Sequence, residues 1–278
     1  MTYHSPVKGG AQWYSPVLTS AAMVGGRVLS SATINPKTIV NHTEIVPPQP
    51  LTDSFSRRLT YLRLSITDFC NFRCEYCLPN GYQGKRPDNE LSVSEIATLI
   101  RGFAQVGTRK VRITGGEPSI RRDVVEIIQT IKQTPGIETV AMTSNGYKLG
   151  KHLANWQLAG LNQINISMDS FDAATFHQMT GFNILPQLMA DMDRLLESTD
   201  IKLKINSILM SETAFDNLIN AMNYIKHRPV TYRFIEFMQT SDNSDLFFAQ
   251  HAQASSISDY LLKNGWRTNQ RGLSLIHI

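Results

Sequence analysis

The chain has 278 residues, 42% of them apolar and 18% charged, with a formal net charge of +4. This ordinary globular composition excludes a wholly disordered chain, and the length suffices to bury a sizeable core without staples. Basic residues do not gather in runs, and no stretch of about 18 apolar residues occurs, so no nucleic-acid partner and no membrane span is expected.

Residues 1–50 are rich in Ser, Thr, Gly and Pro, and they end in Pro47-Pro48-Gln49-Pro50. They read as a disordered or extended segment. The mildly apolar stretch from Val17 to Leu29 is broken by Thr, Ser and a glycine pair, which argues against a signal peptide. From Leu59 onward, short β-rich runs at about 60–66, 110–114, 138–143, 163–167, 202–208 and 231–237 alternate with helical patterns. The helical patterns lie at about 92–105, 121–133, 148–158, 186–198 and 214–227, with a further helical segment near 255–264. Ser92 and Ser94 are candidate N-caps with Glu95 close behind. Strand–helix repetition predicts βαβ units and a parallel sheet, either a partial barrel or an open doubly wound sheet.

A fully buried parallel strand reads as continuously apolar. These strands alternate instead. Leu62, Leu64 and Ile66 oppose Arg63, Ser65 and Thr67; Val111 and Ile113 oppose Arg112 and Thr114. Ile164 and Ile166 oppose Asn165 and Ser167; Leu203 and Ile205 oppose Lys202, Lys204 and Asn206. Period two puts each set on its own face. With helices packed on the apolar faces, the polar faces would line a lumen carrying Arg63, Arg112 and Lys204. Clustered cations in a lumen need counter-charge, so an anionic ligand such as a phosphorylated nucleotide is expected. The plainer alternative is an antiparallel sheet with one wet face.

Three cysteines, Cys70, Cys74 and Cys77, form CxxxCxxC just after the first strand, and the sequence has no others. An odd number crowded together is no disulfide framework and points to a reducing compartment and a metal or cluster site. Thiolates suit zinc or iron–sulfur clusters. Three of them leave one iron of a four-iron cubane open to a small chelating ligand. Zinc completed by a histidine is the alternative, although no second CxxC pair and no nearby histidine supports it. Thr114-Gly115-Gly116-Glu117-Pro118 ends the second strand; its glycines permit close backbone approach, and an exposed Glu117 could receive an ammonium group. Ser144-Asn145-Gly146, Ser167-Met168-Asp169-Ser170 and Glu236-Phe237-Met238 end later strands, where α/β folds bind ligands.

These residues together resemble a known family. CxxxCxxC with Tyr76 before the last cysteine, followed by Gly115-Gly116-Glu117-Pro118, resembles the radical S-adenosylmethionine (radical SAM) enzymes. The runs from Leu62 to Cys74 and from Lys110 to Pro118, with Arg121-Arg122-Asp123, are similar to the GTP 3′,8-cyclase family of molybdenum cofactor biosynthesis. So are Thr143-Ser144-Asn145-Gly146, Asn165-Ile166-Ser167-Met168-Asp169-Ser170 and Arg233-Phe234-Ile235-Glu236-Phe237-Met238; the likeness covers about 51–266.

The resemblance implies a radical SAM core at 51–250, a partial TIM-like (β/α)6 barrel of class α/β, between a disordered 1–50 and a truncated C-terminal region at 251–278. It implies a cytoplasmic lyase whose [4Fe-4S] cluster is held by Cys70, Cys74 and Cys77. S-adenosylmethionine (SAM) would meet Tyr76, Gly116, Ser167 and Met238. GTP would meet Arg63, Arg112, Thr143 and Lys204. No side chain would act as acid or base, because the adenosyl radical from SAM takes hydrogen from C3′ of GTP and the C3′ radical attacks C8. Implied partners are a flavodoxin- or ferredoxin-type electron donor, cyclic pyranopterin monophosphate synthase as the next enzyme, and a second copy in a homodimer. The family carries a second [4Fe-4S] cluster on later cysteines, and this sequence has none after Cys77. SAM cleavage without productive coupling to GTP is therefore expected of this chain. A peptide-modifying radical SAM enzyme and a non-catalytic zinc-stabilised binding module are the alternative readings.

Overall fold

The computed structural model describes residues 49–85, 89–211, 214–239 and 243–267. The expectations for 1–48 and for the chain beyond 267 lie outside the described residues. Six strands carry the fold: β1 (Tyr61–Ser65), β2 (Lys110–Thr114), β3 (Thr139–Ser144), β4 (Gln163–Ser167), β5 (Lys202–Leu209) and β6 (Thr231–Glu236). They pair in chain order and every pair is parallel, which removes the antiparallel alternative. The order runs from β1 to β6 without closing. The sheet is nevertheless curled. Lys110 on β2 donates to Gln163 on β4 at 3.2 Å, and residues at the ends of β2 to β6 line one cavity.

The alternation read from the sequence is the alternation of the two faces. Val111, Ile113, Val140, Met142, Ile164, Ile166 and Ile205 are wholly buried against the helices. Those helices are α1 (Val93–Gln105), α2 (Val124–Gln133), α3 (Leu149–Leu158), α4 (Ala173–Thr180), α5 (Leu185–Ser198), α6 (Ala214–Ile225), α7 (Ser244–Gln250) and α8 (Ala254–Lys263). Ser92 caps α1 in a full capping box with Glu95, which satisfies two of the orphan amides of the first turn.

Two helices, α4 and α7, were not expected from the sequence. Both are short, of 8 and 7 residues, too brief to show a clear 3.6-residue apolar period. Asp172 caps α4 by accepting from the Thr175 amide, and Gly181 ends it at φ 79°, the left-handed position that favours glycine. α2 begins three residues later than expected. Arg121 before it is committed elsewhere: its guanidinium donates to the carbonyls of Ile66 and Leu91 and to Asp123, tying the end of β1 to the approach to α2.

Candidate active site

The segment after β1 and the segment after β2 lie edge to edge. The Gly116 amide donates to the Thr67 carbonyl and the Glu117 amide to the Phe69 carbonyl, each at 2.8 Å. Gly115 has φ 145°, and a β-carbon there would overlap the Thr67 carbonyl oxygen; one on Gly116 would overlap that of Phe69. Both glycines are therefore required by close backbone approach.

The cysteine segment is held from its other side by α4. The Arg73 amide donates to the Thr180 carbonyl at 3.2 Å, and the Glu75 amide to the Met179 carbonyl at 3.1 Å. Phe72, between the first two cysteines, is 2% exposed. Its ring stacks on Phe182 at 4.5 Å and meets Phe176 and Tyr147 edge-on. An apolar plug in the core thus fixes a segment that has no regular structure of its own.

The three cysteines, half-buried or exposed, open on one cavity of about 250 Å³. Strands β2 to β6 contribute to its wall at or near the carboxyl end, through Gly115, Gly116, Thr143, Ser144, Ser167, Asp169, Asn206 and Ile235 among others. Burial pushes all three thiols up, Cys74 to about 12. Left alone, these sulfurs stay protonated; a cationic iron centre supplies the charge that makes them thiolates. Among the described residues no three His, Cys, Asp or Glu side chains converge on a single-ion site. The donor set fits a cluster: three soft ligands around a cavity, beside an Asn206 Oδ1 that is buried without a partner.

Two carboxylates flank this cavity. Glu117 corrects the sequence expectation of an exposed ammonium acceptor, because it is 1% exposed. It accepts from the Ser119 amide at 2.9 Å, the Ser144 hydroxyl at 2.8 Å and the Asn145 amide at 2.6 Å. It bolts the end of β2 to the end of β3. Burial raises its pKa against those hydrogen bonds. Asp169 is 4% exposed and accepts from the Tyr76 hydroxyl at 2.6 Å and the Ile208 amide at 2.8 Å.

Further down the strands is the polar lumen. Arg63 pairs in register with Arg112, and Asn165 with Lys204. Arg112 is 8% exposed; it donates to the Tyr61 hydroxyl at 2.5 Å and to Thr143 Oγ1 at 3.4 Å. Burial, then Arg233, Arg112 and Lys202, lower the pKa of Lys204. Burial, then Arg112, Lys204, Lys202 and Arg233, lower that of Lys110. Among the described residues no carboxylate forms an ion pair with any of these cations.

The structure thus gathers Cys70, Cys74, Cys77, Tyr76, Gly116, Ser167 and Thr143 around one cavity. Lys204 and Arg112 face one another electrostatically, and Arg63 joins them only through its register with Arg112. Met238 is not brought in: it lies past the end of β6, 73% exposed and outside the cavity wall. Sequence reasoning missed Lys110 and Arg233 as lumen cations, although strand parity would have placed both beside Arg112 and Lys204. It also missed the anchoring role of Phe72, which carries no local signal.

The radical SAM superfamily is matched over residues 64–225. A GTP 3′,8-cyclase of Pectobacterium atrosepticum is 47% identical over 226 residues, covering 81% of this chain and 69% of the relative. One from Vibrio cholerae is 50% identical over 225 residues, covering 80% and 67%. The chain belongs to the GTP 3′,8-cyclase family of the radical SAM superfamily. It spans about two thirds of the length of these radical SAM relatives. The fold is similar to that of Streptococcus suis SuiB bound to S-adenosylmethionine, at TM-score 0.60 and 14% identity over 74% of this chain and 48% of that one. HydG, a maturase of the [FeFe]-hydrogenase, is similar at TM-score 0.57 and 14% identity over 72% and 48%.

Proposed function

We propose that this chain binds a [4Fe-4S] cluster through Cys70, Cys74 and Cys77, binds SAM above it, and presents GTP from the lumen for 3′,8-cyclisation. The observation that carries the reading is that the cavity with three thiols includes Thr143 in its wall, and Thr143 accepts from Arg112, one of a group of strand cations that form no ion pair among the described residues. When bound, the cluster and SAM supply a one-electron reductive cleavage that generates the hydrogen-abstracting radical. The protein's own part is placement. Gly116, on a backbone pressed against Thr67 and Phe69, and Tyr76 and Ser167, in the wall of the same cavity, would hold SAM. Arg63, Arg112 and Lys204, with Lys110 and Arg233, neutralise a triphosphate by charge-assisted hydrogen bonds. Thr143, already bonded to Arg112, sits between the mouth and the lumen. The reading includes a cytoplasmic setting, a flavodoxin- or ferredoxin-type donor, cyclic pyranopterin monophosphate synthase as the next enzyme, and a homodimer.

Anaerobic reconstitution followed by iron and sulfide analysis, with assays for 5′-deoxyadenosine and cyclised GTP, tests it. Iron with sulfide and SAM-dependent 5′-deoxyadenosine are expected, both lost in Cys74→Ala. Zinc without sulfide would instead favour a binding module.

A further inference from the structure

Asp169 is a buried carboxylate to which the proposed binding of SAM and GTP gives no part. It stands just past the end of β4, 4% exposed, in the wall of the same cavity as the three cysteines. Its two carboxylate oxygens are taken by neutral donors, the Tyr76 hydroxyl at 2.6 Å and the Ile208 amide at 2.8 Å. Its backbone carbonyl accepts from Asn217 Nδ2 at 2.7 Å, and Asn217 in turn donates to Ser207 Oγ at 3.1 Å. Two strand ends and α6 therefore hold this carboxylate in place. Among the described residues no cation forms an ion pair with it. Cys74, Tyr76 and Asp169 line the same cavity, which places the carboxylate and the hydroxyl it engages beside the sulfurs that would hold the cluster.

Two consequences share one sign. A buried, unneutralised anion beside a thiolate-held cluster opposes the arrival of an electron. Tyr76 has a single hydroxyl proton, and while Asp169 accepts it, that proton is withheld from Cys74. Hydrogen bonds to a ligand sulfur ease reduction of a cluster, so withholding one keeps reduction difficult.

We propose that Asp169 is a positioning residue that holds the reduction potential of the cluster low, by its charge and by engaging the hydroxyl proton of Tyr76. A strongly reducing cluster is what cleavage of a sulfonium bond requires. The inference rests on the cluster reading above, and its test separates the two.

The measurement is an EPR-monitored redox titration of the anaerobically reconstituted full chain, with dithionite as the reductant and iron and sulfide determined on each sample. In Asp169→Asn the charge is gone and the amide can donate to Tyr76 Oη, which frees the hydroxyl proton for Cys74. We expect the ratio of reduced to oxidised cluster at a fixed potential to rise at least tenfold, equivalent to about 59 mV for one electron. Adding Tyr76→Phe should remove part of that rise, because the donor to Cys74 is lost. If Asp169→Asn fails to assemble, Asp169→Ser also removes the charge while leaving an acceptor for the Ile208 amide. An unmoved potential at intact iron and sulfide content in whichever variant assembles overturns the inference alone. Wild-type chain without iron and sulfide overturns it together with the cluster reading.

Discussion

Gly116 shows how a single residue fixes the mouth of the barrel. Its amide donates to the Thr67 carbonyl, and a β-carbon would collide with backbone at Asp68 and Phe69 rather than with a yielding side chain. Relief therefore requires the cysteine segment and the β2 segment to part. Gly116→Ala is expected to cost about 1–3 kcal/mol of stability, the usual range for overpacking. It should also lower SAM affinity by more than the stability loss explains. Denaturant melts and equilibrium dialysis with SAM check the two arms; a stable variant with wild-type SAM affinity would show that the close approach has no functional role. Glu117 works differently, since its oxygens are consumed by Ser119, Ser144 and Asn145. It is a fastener of strand ends.

At the scale of elements, the pairing of the cysteine segment with α4 decides whether three sulfurs converge. The segment borrows order from the C-terminal carbonyls of α4 and from the aromatic nest of Phe72, Phe176, Phe182 and Tyr147. Phe72→Ala leaves a cavity in that nest and should cost about 3–5 kcal/mol, against less than about 1.5 kcal/mol for Phe72→Leu. In the alanine variant iron incorporation should fall with the three cysteines intact. Circular dichroism melts read the first effect and iron analysis the second. Equal iron content in wild type and Phe72→Ala would mean that the segment orders itself without its plug.

Across the whole molecule, curling a parallel sheet brings cations from β2, β5 and β6 within electrostatic reach of one another, and their mutual repulsion is a standing cost until an anion arrives. Burial and neighbouring cations hold Lys204 below its ordinary 10.5. Folding therefore favours its neutral form, and the sign follows: this group's contribution to stability grows as pH rises through the folded value and is complete above 10.5. Lys204→Met should stabilise the ligand-free protein slightly, by less than about 1 kcal/mol because the side chain is still partly solvated. The variant's stability should be flatter on the alkaline approach, and the rise in Tm produced by GTP should shrink. Thermal shift with and without GTP, across pH, checks all three. A variant less stable than wild type when ligand-free, with an undiminished GTP shift, would remove Lys204 from the lumen field.

By itself the sequence determined the parallel α/β repeat, the faces of each strand and the three-sulfur motif, because these follow from periods and spacings local in the chain. Arg112 and Lys204 were legible through strand parity alone. Only tertiary structure decided that Glu117 is buried, that Met238 stays outside the cavity wall, that α4 and Phe72 set the cysteine segment, and that Asp169 holds Tyr76. Each of these depends on contacts between segments far apart in the chain. Fasteners of that kind leave no period behind, since any residue whose partner is distant looks ordinary among its neighbours.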